Sequence, residues 1–448
     1  VNKPGLWGGR SPAPPTDRPT DRPTDRPTDR LTDRPATVRP ATDWTADHLS
    51  AKGTVSWVDD SSLGADRVTK AAAGPLDGIG PAARWCMVAG VAPDSPPPPL
   101  RAFADEADLI VAEGLAAVAV HALRKLPEYR DDPHVGMFRS VALTTQMKAM
   151  AADVGAVATM VELARRGLNA VVVKGPAMSR LHPDGWPRTY GDIDLVVTPG
   201  QFAATVECAE DLGFIQSTRA VPQWPWFNSL CREGINLHSS TGGNLDVHHH
   251  IPPWSIGRAV KVEGILQRGE PAELCGTPVR FAVPEDLLLV SALHILNDLW
   301  KGKAGLASWR DVLILMTRLG PEQARSAFAG ARLAWLHDLV IDEFARSVPE
   351  SAVMRSRVIA RPHGRTALRL SALGWSGDSV ASRLRMSWAT RLPVANGMAF
   401  LAGSLIPSPS YIKDRHGSYV DYWRRGLAET VATTKGSDYR MTSLDDNG

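Results

Sequence analysis

Cysteine is scarce: Cys86, Cys208, Cys231 and Cys275 are the only four, and no two stand in C-x-x-C spacing. That argues against a zinc site or a disulfide framework and makes a reduced cytosol the simplest home. No run of about 18 apolar residues able to span a bilayer is present, since Met398 to Ile406, the nearest stretch, is too short. No signal-peptide pattern is read in the first residues. Neither charge sign predominates, with 50 Lys and Arg against 48 Asp and Glu and a formal net charge of +2. This balance offers no support for a broad nucleic-acid surface, so small or protein substrates fit better. Methionine is missing before Met87 although the chain opens with Val1. Translation is therefore expected to begin downstream of Val1.

What is present suffices for a folded core: 448 residues, 44% of them hydrophobic, leave room for roughly two or three domains. The first 77 residues are the exception, because TDRP repeats from Thr16 alternate charge and proline and cannot build a core. They read as a disordered, charge-balanced tail. An Ala-rich helix is expected from Leu100 to Leu126. After it, Leu143, Met147, Met150, Val154, Val157, Val161 and Ala164 recur at spacings of four and three, which predicts a one-faced helix ending at Gly167 and packed through that face on a sheet.

The most informative stretch is Val171 to Val197, VVVKGPAMSRLHPDGWPRTYGDIDLVV. Val171 to Val173 suits a buried strand, Gly175 a tight turn with outward backbone N–H groups, and Pro176 the first position of a short helix. Asp192 and Asp194 stand two apart in a second strand and so project from one face. Close like charges are unfavourable without a cation between them, and a divalent ion with oxygen ligands is the usual solution. Magnesium is the expected ion, with manganese as the alternative. A bare D-x-D also fits a turn aspartate followed by a capping or arginine-paired one.

Downstream, Pro199 and Gly200 precede a helix from about Gln201 to Leu212 whose Phe202, Val206 and Leu212 are expected to face inward. Glu233 to His238 and Asn244 to Ile251 flank Ser239 to Gly243 and read as a hairpin. In its second strand Asp246, His248 and His250 share one face, so three consecutive histidines cannot all ligate one ion. Val279 to Val283 reads as another strand, and Pro284 opens an apolar helix through His294 and Trp300.

Together KGPAMSR, Arg188, GDIDLVV and a following helix ending in LGF resemble the bacterial uncharacterised nucleotidyltransferase family of the DNA polymerase beta superfamily. The resemblance extends from about Leu109 to Arg425, with its specific motifs between Lys174 and Asp311. It implies an α+β fold, in which a small mixed-sheet nucleotidyltransferase core at 169–284 lies between helical regions at 78–168 and 285–436, with a frayed end at 437–448. It also implies transfer of a nucleoside monophosphate from a nucleoside triphosphate to a hydroxyl acceptor, small molecule or protein, with release of pyrophosphate. By the same resemblance Asp192, Asp194 and Asp246 are the catalytic and metal-holding acids, the last because Leu245-Asp246-Val247-His248 matches a V-D-L-H strand. Lys174, Gly175, Arg188 and Gly191 are the nucleotide-binding positions. His248, Arg180, His294 and Asp311 are candidate substrate or supporting contacts, Asp311 through a W-x-x-D-like segment at Trp309. Pro407 to Arg425 resembles a C-terminal feature of the family, read as a packing helix.

One departure stands out: the wider superfamily has Gly-Ser or Gly-Gly where this chain has Gly175-Pro176, and proline supplies neither hydroxyl nor N–H. Two other classes stay open, the first encouraged by Pro176 and the second by the D-x-D pattern itself. One is a degenerate nucleotide-binding or interaction module. The other is a metal-dependent D-x-D glycosyltransferase, which normally places a larger, several-stranded nucleotide-binding region before the motif.

Overall fold

Why the helix before the sheet presents the face it does is decided by how closely it approaches the strands. The computed structural model describes residues 76, 78–92, 96–129, 131–217, 224–240, 242–300, 305–348, 398–399, 402–403, 405–424 and 427, all within the unit Ser61–Gly448. The TDRP repeats and residues 437–448 lie outside them. Leu76, inside the expected tail, is buried, and its N–H donates to Glu343 Oε1 at 2.7 Å. The first helix, α1 (Pro81–Val88), begins at a proline. Its free N–H groups at Ala82 and Ala83 donate to the Glu106 carboxylate, which offsets the positive helix end.

The expected Ala-rich helix is three shorter ones, α2 (Leu100–Asp105), α3 (Ala107–Ala112) and α4 (Ala116–Leu123). The chain leaves helical geometry at Glu106, and Gly114 takes a left-handed φ of 74°. Helix α5 (Pro133–Arg165) follows, capped by Asp132, whose carboxylate accepts from the His134 N–H at 2.8 Å. It stops before Gly167 at φ 69°, the terminator the sequence predicts.

The buried face of α5 is not the predicted one. Ala149, Ala152, Ala156, Thr159 and Leu163 are buried, whereas Leu143, Met147, Met150, Val154 and Val161 are each more than half exposed. The reason is close approach. A Cβ on Gly155 would stand 2.8 Å from the Phe214 ring, and one on Gly243 would stand 2.7 Å from the Ala151 carbonyl oxygen. Only small side chains fit such a gap, so the large residues of the 4-3 pattern turn outward.

The sheet has seven strands in the order β3-β4-β5-β2-β1-β7-β6. In chain order these are β1 (Val171–Val172), β2 (Asp192–Val196), β3 (Phe214–Gln216), β4 (Gly234–Ser239), β5 (Asn244–His248), β6 (Glu270–Leu274) and β7 (Thr277–Phe281). Parallel pairs β1/β7 and β2/β5 sit among antiparallel neighbours, so the sheet is mixed. The expected hairpin is β4/β5, with β5 ending earlier than predicted because the His249 and His250 N–H groups both turn to the Glu233 carbonyl. The hairpin β6/β7 was not predicted. Its two-residue turn has Cys275 at φ 49° and Gly276 at φ 75°, the left-handed pair that a tight hairpin requires.

Short helices connect the strands: α6 (Pro176–Ser179), α7 (Phe202–Asp211), α8 (Pro225–Cys231), α9 (Trp254–Gly257) and α10 (Val262–Arg268). In α7 Val206 is buried as expected, but Leu212 lies past the helix end and is exposed. The apolar helix is α11 (Pro284–Trp300), and α12 (Leu306–Gly330) follows with a break at Gly320-Pro321. Arg310 of α12, itself buried, donates from Nη1 to the Cys86 and Met87 carbonyls at 2.9 Å each, tying α12 to the end of α1. Helix α13 (Ala334–Ser347) covers α12 and buries Phe344 against Trp309. Helix α14 (Pro409–Arg415) starts at Ser408, whose hydroxyl accepts from the Tyr411 N–H, and residues 419–424 are helical again. Among the described residues no helix is long and apolar enough to cross a membrane.

Candidate active site

Backbone register brings the acids together. Asp194 of β2 lies directly beside Asp246 of β5 in a parallel pair, with Asp192 aligned to Asn244 and Val196 to His248. Alternation then places Asp192, Asp194, Asp246 and His248 on one face while Ile193, Leu195, Leu245 and Val247 are buried on the other. His248 donates from Nε2 to Asp194 Oδ1 at 3.0 Å. Asn236, opposite Asp246 on β4, donates from Nδ2 to Asp246 Oδ2 at 2.8 Å.

The Lys174-Gly175 turn closes the other side. Gly175 takes φ 54°, and a Cβ there would stand 3.1 Å from the Asp192 carbonyl oxygen, so glycine is required by both conformation and space. Pro176 then opens a four-residue helix. A hydroxyl-to-carboxylate bond from Tyr190 to Asp153 of α5, 2.8 Å at the shorter oxygen, holds the segment entering β2. Gly191 faces open space.

Charge is unevenly distributed within the cluster. Burial would raise Asp194, but the Lys174 charge and the His248 hydrogen bond outweigh it and hold the carboxyl below the usual range. Asp246 has burial and the Asp194 charge acting in the same direction and is pushed up to about 7. Desolvation and the Asp194 charge also raise Asp192. Burial opposes charge on His248, yet the Asp194 hydrogen bond and the two nearby carboxylates raise it. One strongly acidic carboxylate therefore sits beside one that holds a proton near neutrality.

The donor set fits a divalent cation. Ligand atoms of Asp194, Asp246 and His248 all lie within 4.8 Å of one another. Asp194 Oδ2 is buried with no hydrogen-bond partner, an arrangement that is costly unless something positive is accommodated there. The carboxylates are suitable ligands for magnesium or manganese by hardness, while His248 braces Asp194 by donating to its Oδ1.

The other predicted positions fall in three places. Lys174 and His294 lie near enough to act electrostatically on Asp194, with His294 Nε2 also 3.6 Å from Asp298. Arg188 acts on Asp192 and Asp194 but is clamped by Asp311 of α12, Nη2 to Oδ2 at 2.7 Å and Nε to Oδ1 at 2.9 Å. Arg180 points elsewhere, 3.6 Å from Glu270 and over the Phe281 ring. His249 turns away from the acids, as strand alternation requires, and is buried against Phe202.

Two residues of the site were not singled out from the sequence. Asn236 could have been found from the hairpin register about Ser239 to Gly243, which pairs it with Asp246. His182, whose Nε2 donates to Asp311 Oδ1 at 2.9 Å, has no local signal because its partner is 129 residues away.

A family model described as uncharacterised nucleotidyltransferase matches residues 104–337. Among solved structures, an antigenic nucleotidyltransferase-like protein from Paracoccidioides brasiliensis is similar at 14% identity, over 48% of this chain and 95% of its own, with a TM-score of 0.27. No curated protein matches the chain.

Proposed function

The chain belongs to the uncharacterised nucleotidyltransferase family, and on that footing we propose that it transfers a nucleoside monophosphate from a nucleoside triphosphate to a hydroxyl acceptor, releasing pyrophosphate. The observation that carries this reading is the side-by-side pair Asp194 and Asp246 on parallel strands, with Asp192 on the same face. Asp192, Asp194 and Asp246 would hold magnesium or manganese, and the bound ion would supply positive charge beside the phosphate oxygens and the attacking oxygen.

The remaining chemistry belongs to the chain. His248 orients Asp194 by donating to Oδ1, which leaves Oδ2 as the inward oxygen. Asn236 donates to Asp246 Oδ2, which leaves Oδ1 as the oxygen to take the acceptor's hydroxyl proton. The acceptor oxygen then bonds to the α-phosphorus as the bond from that phosphorus to the β-bridging oxygen breaks. Lys174 offers positive charge to the departing pyrophosphate, and Arg188 to the phosphates of the bound nucleotide. The acceptor is a hydroxyl of a small molecule or a protein.

Only β1 precedes the D-x-D strand among the described residues, which favours this reading over a glycosyltransferase. A second reading, nucleotide binding without turnover, is favoured by Pro176, which removes an N–H from the start of α6. The deciding experiment incubates the full chain with magnesium, each of the four nucleoside triphosphates in labelled form and a cell extract. Pyrophosphate release and label transfer that vanish in the Asp192→Asn, Asp194→Asn double variant are expected. Nucleotide binding with no label moved would give the second reading, and turnover unaffected by the double variant would overturn the first.

A further inference from the structure

Arg188 is held in an unusual way for a residue beside an acidic cluster. Its Nε and Nη2 edge is used entirely by Asp311, with three contacts from 2.7 to 3.0 Å. A guanidinium gripped along that edge has its plane and its remaining nitrogen fixed. That nitrogen, Nη1, is buried and has no hydrogen-bond partner. Asp311 is in turn held by His182, which donates to Oδ1, the oxygen that also accepts from Arg188 Nε. Side-chain exposures of 2% for His182, 3% for Asp311 and 12% for Arg188 put the whole triad out of water. A buried ion pair of this kind is weak support for stability, because desolvation offsets most of the attraction. Its geometry, by contrast, is highly determined, and it joins the loop before β2 to α12 across 123 residues of chain.

We infer that Asp311 and His182 are positioning residues that lock the Arg188 guanidinium so that Nη1 serves as a preset anchor for a phosphate oxygen of the nucleoside triphosphate. The inference rests on the nucleotidyltransferase reading for the identity of the ligand, and on the triad alone for the positioning. An unheld arginine would spend binding energy on ordering its own side chain and, next to Asp192 and Asp194, would fold onto them. Asp311 prevents both by supplying the counter-charge from behind. His182, donating to the same carboxylate, keeps Asp311 from rotating. A lysine at position 188 could keep the charge but not the two-point grip.

The test uses the full chain and two readouts. The first is the Kd of magnesium tripolyphosphate by calorimetry, which needs no turnover; the second is KM and kcat for pyrophosphate release. Arg188→Ala is expected to weaken tripolyphosphate binding roughly ten- to hundredfold, the range for losing a charged hydrogen bond. Asp311→Asn should weaken it at least about tenfold, and Arg188→Lys should recover little of the loss. In the Arg188→Ala background, Asp311→Asn should add almost nothing, since it acts through the missing guanidinium. KM for the nucleotide should rise while kcat changes much less. His182→Gln, which keeps Asp311 and so spares the fold, should give an intermediate loss that also vanishes in the Arg188→Ala background. Should Asp311→Asn fail to fold, that pair carries the comparison. Wild-type binding without any pyrophosphate release would sink the enzymatic reading and leave the positioning inference standing. No tripolyphosphate binding by wild type, losses that multiply in the double variant, or full recovery by Arg188→Lys would overturn the inference itself.

Discussion

Replacing Met147, Met150 and Val154 together by glutamine is expected to cost no more than about 3 kcal/mol of folding stability, although all three belong to the most regular apolar pattern in the chain. These side chains are 70%, 62% and 66% exposed, so roughly a third of each is screened by protein. Full burial of such a side chain contributes about 1.5–3 kcal/mol, and a third of that is about 0.5–1 each. Glutamine matches methionine in helix propensity and improves on valine by a few tenths of a kcal/mol. Had this face been the core-packing one, each loss would be about 2–5 kcal/mol and the triple variant would not fold. The complementary change is Ala156→Leu on the fully buried face, where extra methylene groups meet a close-packed sheet and should cost about 1–3 kcal/mol or more. Urea unfolding of the full chain, followed by far-ultraviolet circular dichroism, measures both. A triple variant that loses more than about 4 kcal/mol, or a neutral Ala156→Leu, would refute the assignment of the two faces.

Other expectations are simpler. Gly234→Ala should destabilise by about 1–3 kcal/mol in the same assay, because its Cβ would stand 2.3 Å from the Val247 carbonyl oxygen and 2.7 Å from His248 Nδ1; an unchanged midpoint would mean β4 sits farther from β5 than described. Native thiol titration should count one reactive cysteine, Cys275, with the other three appearing only in denaturant. Cys86, Cys208 and Cys231 are buried, and burial pushes Cys86 and Cys231 up to about 12. For Asp311, burial would raise the carboxyl, but the Arg188 charge and the bonds from His182 and Arg188 outweigh it and depress it. Its folded pKa thus lies below the unfolded value of about 3.9, so its contribution is full above about pH 4 and is lost as pH falls through the folded pKa. The wild-type urea midpoint should therefore drop more steeply than that of Asp311→Asn below about pH 4, and parallel curves would contradict this linkage.

What the sequence reveals about this fold is mostly what period and turn chemistry encode. Alternation in GDIDLVV places Asp192 and Asp194 on one face, and Ser239 to Gly243 marks the β4/β5 hairpin, because both signals are local. Helix α5 misleads for a physical reason. Its 4-3 apolar pattern is genuine, but a helix that approaches a sheet within reach of Ala151 and Gly155 selects small residues, and hydrophobic period does not record side-chain size. The hairpin β6/β7 is hidden by Pro271 and Pro278 in its strands and by cysteine where asparagine or aspartate usually takes the left-handed turn position. Leu212 fits the periodicity of α7 yet lies one residue past its end, where the helical face no longer applies.

The site divides along the same line. Asp194, Asp246, Asn236 and His248 are placed by the hydrogen-bond ladders of β2, β5 and β4, so once the strands pair their relative positions follow from the backbone. Arg188 has no such support, since it lies in the loop before β2 and takes its orientation from a carboxylate 123 residues away on α12. A short ladder tolerates substitution of a surface side chain without moving its neighbours; a side-chain grip does not. Loss of Asp311 would therefore leave the acids where they are and release the arginine alone. Under the proposed function, metal binding and the Arg188 contact to phosphate would thereby be mechanically separate, the first built into the sheet and the second delivered to it by the helical region.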